Sequence, residues 1–138
     1  MLRNVAVKPV VTASVSMTVA EAARAMRHKN VGALVVNAGR PLSMLADRDI
    51  VMEVVAQGKN PERLQVGNVM RKKPVTVRDN QGLLDAARAF AKTGVRRLPV
   101  VDKTGQLVGI IAMDVMMLLG NEMGLMAGAL AAGLRKAS

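Results

Sequence analysis

Val31-Gly32-Ala33-Leu34-Val35-Val36 returns, 64 residues later, as Val95-Arg96-Arg97-Leu98-Pro99-Val100. Working outward, Ala22-Ala23-Arg24-Ala25-Met26 returns as Ala86-Ala87-Arg88-Ala89-Phe90, and Val11-Thr12 as Val75-Thr76, at the same offset and without a gap. Nine of the 26 positions in 11–36 are identical in 75–100, so the chain reads as one unit written twice. Units this short do not close a core alone and tend to pack on each other. The duplication also predicts two pseudo-equivalent clefts.

A length of 138 residues suits one compact domain, or two half-domains sharing a core. The composition is 51% apolar, with one Phe, no Tyr or Trp and 11 Met, so the core is aliphatic with Met filling irregular gaps. There is no Cys, which excludes disulfides, thiolate catalysis and cysteine metal sites. The first nine residues hold no apolar run long enough for a signal peptide, and a cytoplasmic location is expected. A net charge of +10 favours anionic partners such as nucleotides, nucleic acid or a membrane surface. A merely solvated basic surface explains it equally well, because only Arg71-Lys72-Lys73 forms a run.

Thr18-Val19-Ala20-Glu21 is a capping-box pattern, and Val19, Ala22, Ala23 and Met26 recur at helical spacing. Together they predict a helix to about Lys29. Val31–Val36 and Leu42–Ala46 read as strands. Ile50, Val51, Val54 and Val55 predict a buried helix stripe over Asp47–Gln57, ended by Gly58. Residues 58–74 join the units, with a short helical turn at Val66–Met70. The second unit repeats the order. Val75–Val77 is extended. Leu83, Ala86, Ala87 and Phe90 mark a helix ended by Gly94. Leu98–Val101 and Leu107–Ala112 are strands around the turn Asp102-Lys103-Thr104-Gly105. A long helix begins near Asp114. The expected fold class is α+β: two β-α-β-β-α repeats, 1–60 and 61–120, packed around a pseudo-two-fold axis, with a helical extension over 121–138.

Val95-Arg96-Arg97-Leu98-Pro99-Val100-Val101-Asp102, followed by Gly105-Gln106-Leu107-Val108-Gly109-Ile110-Ile111, resembles the most recognisable stretch of the CBS domain. Leu42-Ser43-Met44-Leu45-Ala46-Asp47-Arg48-Asp49-Ile50-Val51 resembles its first-repeat counterpart. Val69-Met70-Arg71-Lys72-Lys73-Pro74-Val75-Thr76-Val77 resembles the usual entry to a second repeat. The resemblance covers roughly residues 1–120 and is that of a stand-alone tandem CBS pair, or Bateman module. It implies an adenosine-containing ligand (AMP, ADP, ATP or S-adenosylmethionine) in the clefts between repeats, with no required cofactor. It also implies flat homodimers formed through the repeat helices, and a regulatory role without catalysis.

The family's ligand motif runs Gly, two apolar residues, Thr or Ser, two more residues, then Asp. A carboxylate there can accept both ribose hydroxyls. In the first repeat Ser43 replaces the Gly, Ala46 replaces the hydroxyl residue, and Asp49 is kept. In the second, Gly109 is kept, Ala112 replaces the hydroxyl residue and Val115 replaces the Asp; Asp114 falls one residue early, about 100° around a helix. The resemblance thus makes Asp49 the ribose acceptor and Arg48 a phosphate partner, with Thr12, Ala33 and Ala46 as lining. Arg97, two residues before Pro99, would face the second cleft, lined also by Thr76, Pro99, Ala112 and Asp114. Solvated or ion-paired arginine, and a carboxylate serving only its own helix, are the competing readings of Arg97 and Asp49.

His28 is the only histidine and sits near a helix end, where a charge–dipole contact accounts for it. One His and no Cys supply no usual transition-metal site. No Ser-His-Asp arrangement or Walker loop occurs, so the chain is not expected to be an enzyme. Val115–Leu134 carries one charge, Glu122, with Leu119, Met123, Met126, Leu130 and Leu134 on one face and Gly120, Gly124 and Gly128 at four-residue spacing. The expectation is dimer packing rather than a membrane span, because Glu122 would lie deep in hydrocarbon. A basic nucleic-acid-binding protein and an interaction scaffold with vestigial clefts are the alternative functions. The lack of aromatic stacking platforms argues against single-strand recognition.

Overall fold

The computed structural model describes residues 1–39 and 42–123, without the side chains of 119–123. The chain divides into two compact units, one of Val10–Pro74, the other of Met1–Pro9 with the residues from Val75 onward. The sequence boundary at 60/61 placed residues 1–9 with the first repeat; the fold packs them on the second.

In the Val10–Pro74 unit, β1 (Thr12–Ser14) is followed by α1 (Val19–Lys29), β2 (Ala33–Asn37), β3 (Ser43–Ala46), α2 (Asp47–Ile50) with a π-helical continuation over Val51–Val55, and α3 (Val66–Val69). Strand β2 is central, parallel to β1 and antiparallel to β3. The other unit opens with a 3-10 turn, Leu2–Asn4. It continues with β4 (Val77–Arg78), α4 (Leu83–Thr93), β5 (Arg97–Val101), β6 (Leu107–Ala112) and α5 (Met113–Met123). Its sheet has the same topology, with β5 central, parallel to β4 and antiparallel to β6. The expected α+β repeat, β-α-β-β-α, is present in both units.

Local chemistry explains the helix ends. The Glu21 N–H donates to Thr18 Oγ1 at 3.1 Å, as the capping pattern predicts. Helix α1 ends at Asn30 (φ 54°) and α4 at Gly94 (φ 75°), equivalent positions 64 apart that both take the left-handed conformation. Against the expectation of units that do not close a core alone, the inward faces close two apolar cores, one in each unit. Val19, Ala22 and Met26 meet Leu34, Val36, Leu45, Val54 and Val66 in one unit; Ala86, Ala87 and Phe90 meet Leu2, Leu98, Val100, Ile111 and Met116 in the other.

Three features depart from the sequence reading. First, the helix after β3 is not α-helical throughout. Ala56 N–H donates to Val51 O at 2.9 Å and Lys59 N–H to Val54 O at 3.0 Å, both spanning five residues. The wider turn keeps Val54 buried but leaves Val51 54% and Val55 67% exposed, so only part of the expected stripe faces the core. Second, each unit is closed by the segment that precedes the other unit's first strand. Arg71 N–H donates to Met44 O at 2.9 Å on β3, and Val7 N–H donates to Ile110 O at 2.8 Å on β6. Gly109 allows the latter approach: a Cβ there would lie 2.8 Å from Ala6 Cβ and 2.9 Å from Val7 O. Third, β4 is shorter than β1. Val35 N–H donates to Val11 O at 3.1 Å, whereas the equivalent residue, Pro99, has no N–H to offer Val75.

The predicted C-terminal helix is described only to Met123; Gly124, Met126, Gly128, Leu130 and Leu134 lie outside the described residues. Among the described residues no helix is long and apolar enough to cross a membrane.

Candidate functional site

The corner where β3 turns into α2 gathers most of the expected first-repeat residues. Ala33 and Ala46 are cross-strand partners, and the Asp47 N–H donates to Gly32 O at 2.9 Å, fixing the corner. Ala46 occupies the N-cap, and lacking a side-chain acceptor it leaves Asp49 to satisfy the backbone. Asp49 Oδ2 accepts the Ala46 N–H at 2.8 Å. Arg48 is exposed, and its own N–H donates to Asp47 Oδ1 at 2.8 Å. Thr12 is exposed on β1, in register with Val35 and so across the central strand from Met44, two residues short of Ala46.

Asp49 is half-buried. Desolvation pushes its pKa above the ordinary carboxylate value. The Ala46 N–H and the Arg71 guanidinium pull it back, while Glu53 and Asp47 add smaller upward pushes.

Two residues not singled out for the site belong beside it. Ser43, in the motif's Gly position, is a buried polar residue at 2% exposure, and its hydroxyl donates to Arg71 O. Arg71 itself is held by its N–H to Met44 O at 2.9 Å and by its Nε donating to Lys73 O at 3.0 Å. Its place in the basic run was visible in the sequence; its pairing with β3, 27 residues away, was not.

In the other unit Arg97 and Ala112 are cross-strand partners, and the Met113 N–H donates to Arg96 O at 2.8 Å, the counterpart of Asp47 to Gly32. Arg96, Arg97, Met113, Asp114 and Met117 line an open pocket of about 180 Å³. Asp114 therefore shares a pocket with Arg97, although it is displaced from the motif's Asp position, where Val115 is half-buried. Pro99 is buried on β5 and Thr76 is half-buried just ahead of β4. Neither is among the pocket-lining residues. The pocket's volume lies below the roughly 300–1,000 Å³ usual for small-molecule sites. Among the described residues no group of three His, Asp or Glu is placed to hold a metal ion.

Two stretches of the chain, residues 2–56 and 66–117, match the CBS domain family. The chain belongs to the CBS-domain family. This tandem CBS protein is 42% identical over 105 residues to the CBS domain-containing protein YhcV of Bacillus subtilis, covering 75% of this chain and 74% of that one. It is 35% identical over 113 residues to the uncharacterised protein MK0525 of Methanopyrus kandleri, covering 80% of this chain but only 58% of that longer one. A solved structure of Arabidopsis thaliana CBSX2 in complex with AMP superimposes with a TM-score of 0.70 at 25% identity, covering 89% of this chain and 97% of that chain. CBS-domain proteins are typically regulatory, non-catalytic modules.

Proposed function

We propose that this chain is a non-catalytic regulatory module that binds an adenosine-containing ligand, with Asp49 accepting the ribose hydroxyls. The observation that carries this reading is the Asp49 carboxylate itself. It is half-buried and its ionised form is disfavoured by desolvation, a cost a fold tolerates where the charge is used. One oxygen is committed to the Ala46 N–H, and Oδ1 remains to meet hydroxyl donors. The AMP complex of the similar CBSX2 structure supports the ligand class. The reading includes a cytoplasmic location and self-association. Each unit exposes apolar side chains at equivalent places after its last strand, Val51 and Met52 in one, Met117 and Leu118 in the other. Exposed apolar groups in matching positions suit a second copy of the chain.

Thermal denaturation with AMP, ADP, ATP and S-adenosylmethionine tests the reading. A ligand confined to the native state at about 100 times its Kd stabilises by about 2.7 kcal/mol. At least one of the four raises Tm, and Asp49→Ala abolishes the rise. A rise that survives Asp49→Ala removes Asp49 from the site. No rise with any of them, together with a salt-sensitive gel shift on nucleic acid, transfers the function to the basic surface.

A further inference from the structure

We infer that Arg71 is the anion-binding residue of the Asp49 site, so that this site selects a 5′-phosphorylated nucleoside over the sulfonium of S-adenosylmethionine. The inference rests on the adenosine reading above and decides among its candidate ligands. Three observations carry it.

Arg71 is positioned. Its N–H is tied to Met44 O at 2.9 Å, its carbonyl accepts the buried Ser43 hydroxyl, and its Nε is held on Lys73 O at 3.0 Å. Arg71 is exposed, its Nε is engaged with Lys73 O, and among the described residues its two terminal nitrogens remain for a bidentate contact with an anion.

Arg71 is not needed there by the fold. The equivalent position in the other unit is Val7, 64 residues earlier, whose N–H makes the same bond to the opposing strand, to Ile110 O at 2.8 Å. That bond thus requires a backbone and not a cation. Where the two copies differ at a position of identical backbone role, the side chain has a different task.

Arg71 is close to Asp49 without being consumed by it. Both flank the Ser43–Ala46 strand: Arg71 pairs with Met44, and Asp49 caps Ala46. The two do not close into an ion pair. Lys72 and Lys73 are exposed and add positive charge to the same segment. A carboxylate able to accept from ribose, beside a cation able to grip phosphate, matches the two ends of a nucleoside monophosphate. The sulfonium of S-adenosylmethionine sits on the ribose 5′ carbon and would bring a positive charge to the same cation.

Isothermal titration of AMP, adenosine and S-adenosylmethionine into the full chain and its Arg71→Gln, Arg71→Lys and Arg48→Gln variants tests this. The expected result is AMP binding at least about tenfold tighter than adenosine and than S-adenosylmethionine. Arg71→Gln brings AMP down to the adenosine level while adenosine affinity is unchanged, and Arg71→Lys restores part of the difference. AMP binding that Arg71→Gln leaves intact overturns the inference and leaves the adenosine reading standing. So does a loss confined to Arg48→Gln, which moves the anion contact to α2. Failure of the wild-type chain to bind either AMP or adenosine overturns both.

Discussion

Asp49 combines a bond that serves the fold with a burial that works against its charge. Its bond to the Ala46 N–H replaces the side-chain cap that Ala46 lacks, yet burial raises its pKa above the ordinary value. With a raised native pKa, the folded protein holds the proton over a pH range where the unfolded chain has released it. Stability therefore falls as pH rises from the ordinary carboxylate value through the raised one, and the loss persists at neutral pH. Asp49→Asn keeps an acceptor for Ala46 and removes the charge. The ligand-free variant should then be more stable than the wild type at pH 7 by urea denaturation, with the difference fading as pH drops below the carboxylate range. The nucleotide response should be lost in the same variant, the trade expected where a site keeps a destabilising group.

The elements divide by how local their causes are. Helices α1 and α4 were legible, because the Thr18 cap, the 3.6-residue apolar stripes and the left-handed Asn30 and Gly94 all act within a few residues. The strand pairs were legible because Leu34, Val36, Leu98 and Val100 lie in short β-branched runs. The leading turn Leu2–Asn4 was not, because its partners lie far along the chain: Leu2 N–H donates to Gln81 O at 2.8 Å and Arg3 N–H to Asp79 O at 3.0 Å. A single Leu carries no period. The π turn was missed because its five-residue bonds alter the face that a 3.6-residue pattern assigns. Leu2 is fully buried against the core containing Phe90 and Met116, as Val66 is in the other core. Leu2→Ala should cost about 2–5 kcal/mol in chemical denaturation and accelerate amide exchange at Val7, since it removes the one fully buried side chain of Met1–Pro9.

For the molecule, the duplication has two consequences. It fixes one topology twice, and it lets the copies diverge at their polar positions. Gly32 and Ala33 stand where Arg96 and Arg97 stand; Asp49 where Val115 stands; Arg71 where Val7 stands. Asp49 and the arginines at 96 and 97 were visible as departures between repeats, whereas Arg71 needed the pairing with β3 to be recognised. The exposed apolar side chains did not diverge: Val51 and Met52 match Met117 and Leu118. If they seat a second copy, Met52→Glu combined with Leu118→Glu should give a monomer in sedimentation equilibrium where the unaltered chain gives a dimer, without loss of helix content by circular dichroism.

The most direct test of the account is an amide chemical-shift map of the isotopically labelled chain titrated with AMP. The account predicts shifts concentrated at Ser43–Asp49 and at Arg71, saturating together, and absent from the Asp49→Ala variant. Saturating shifts that bypass both segments, or no shifts at all, would contradict it.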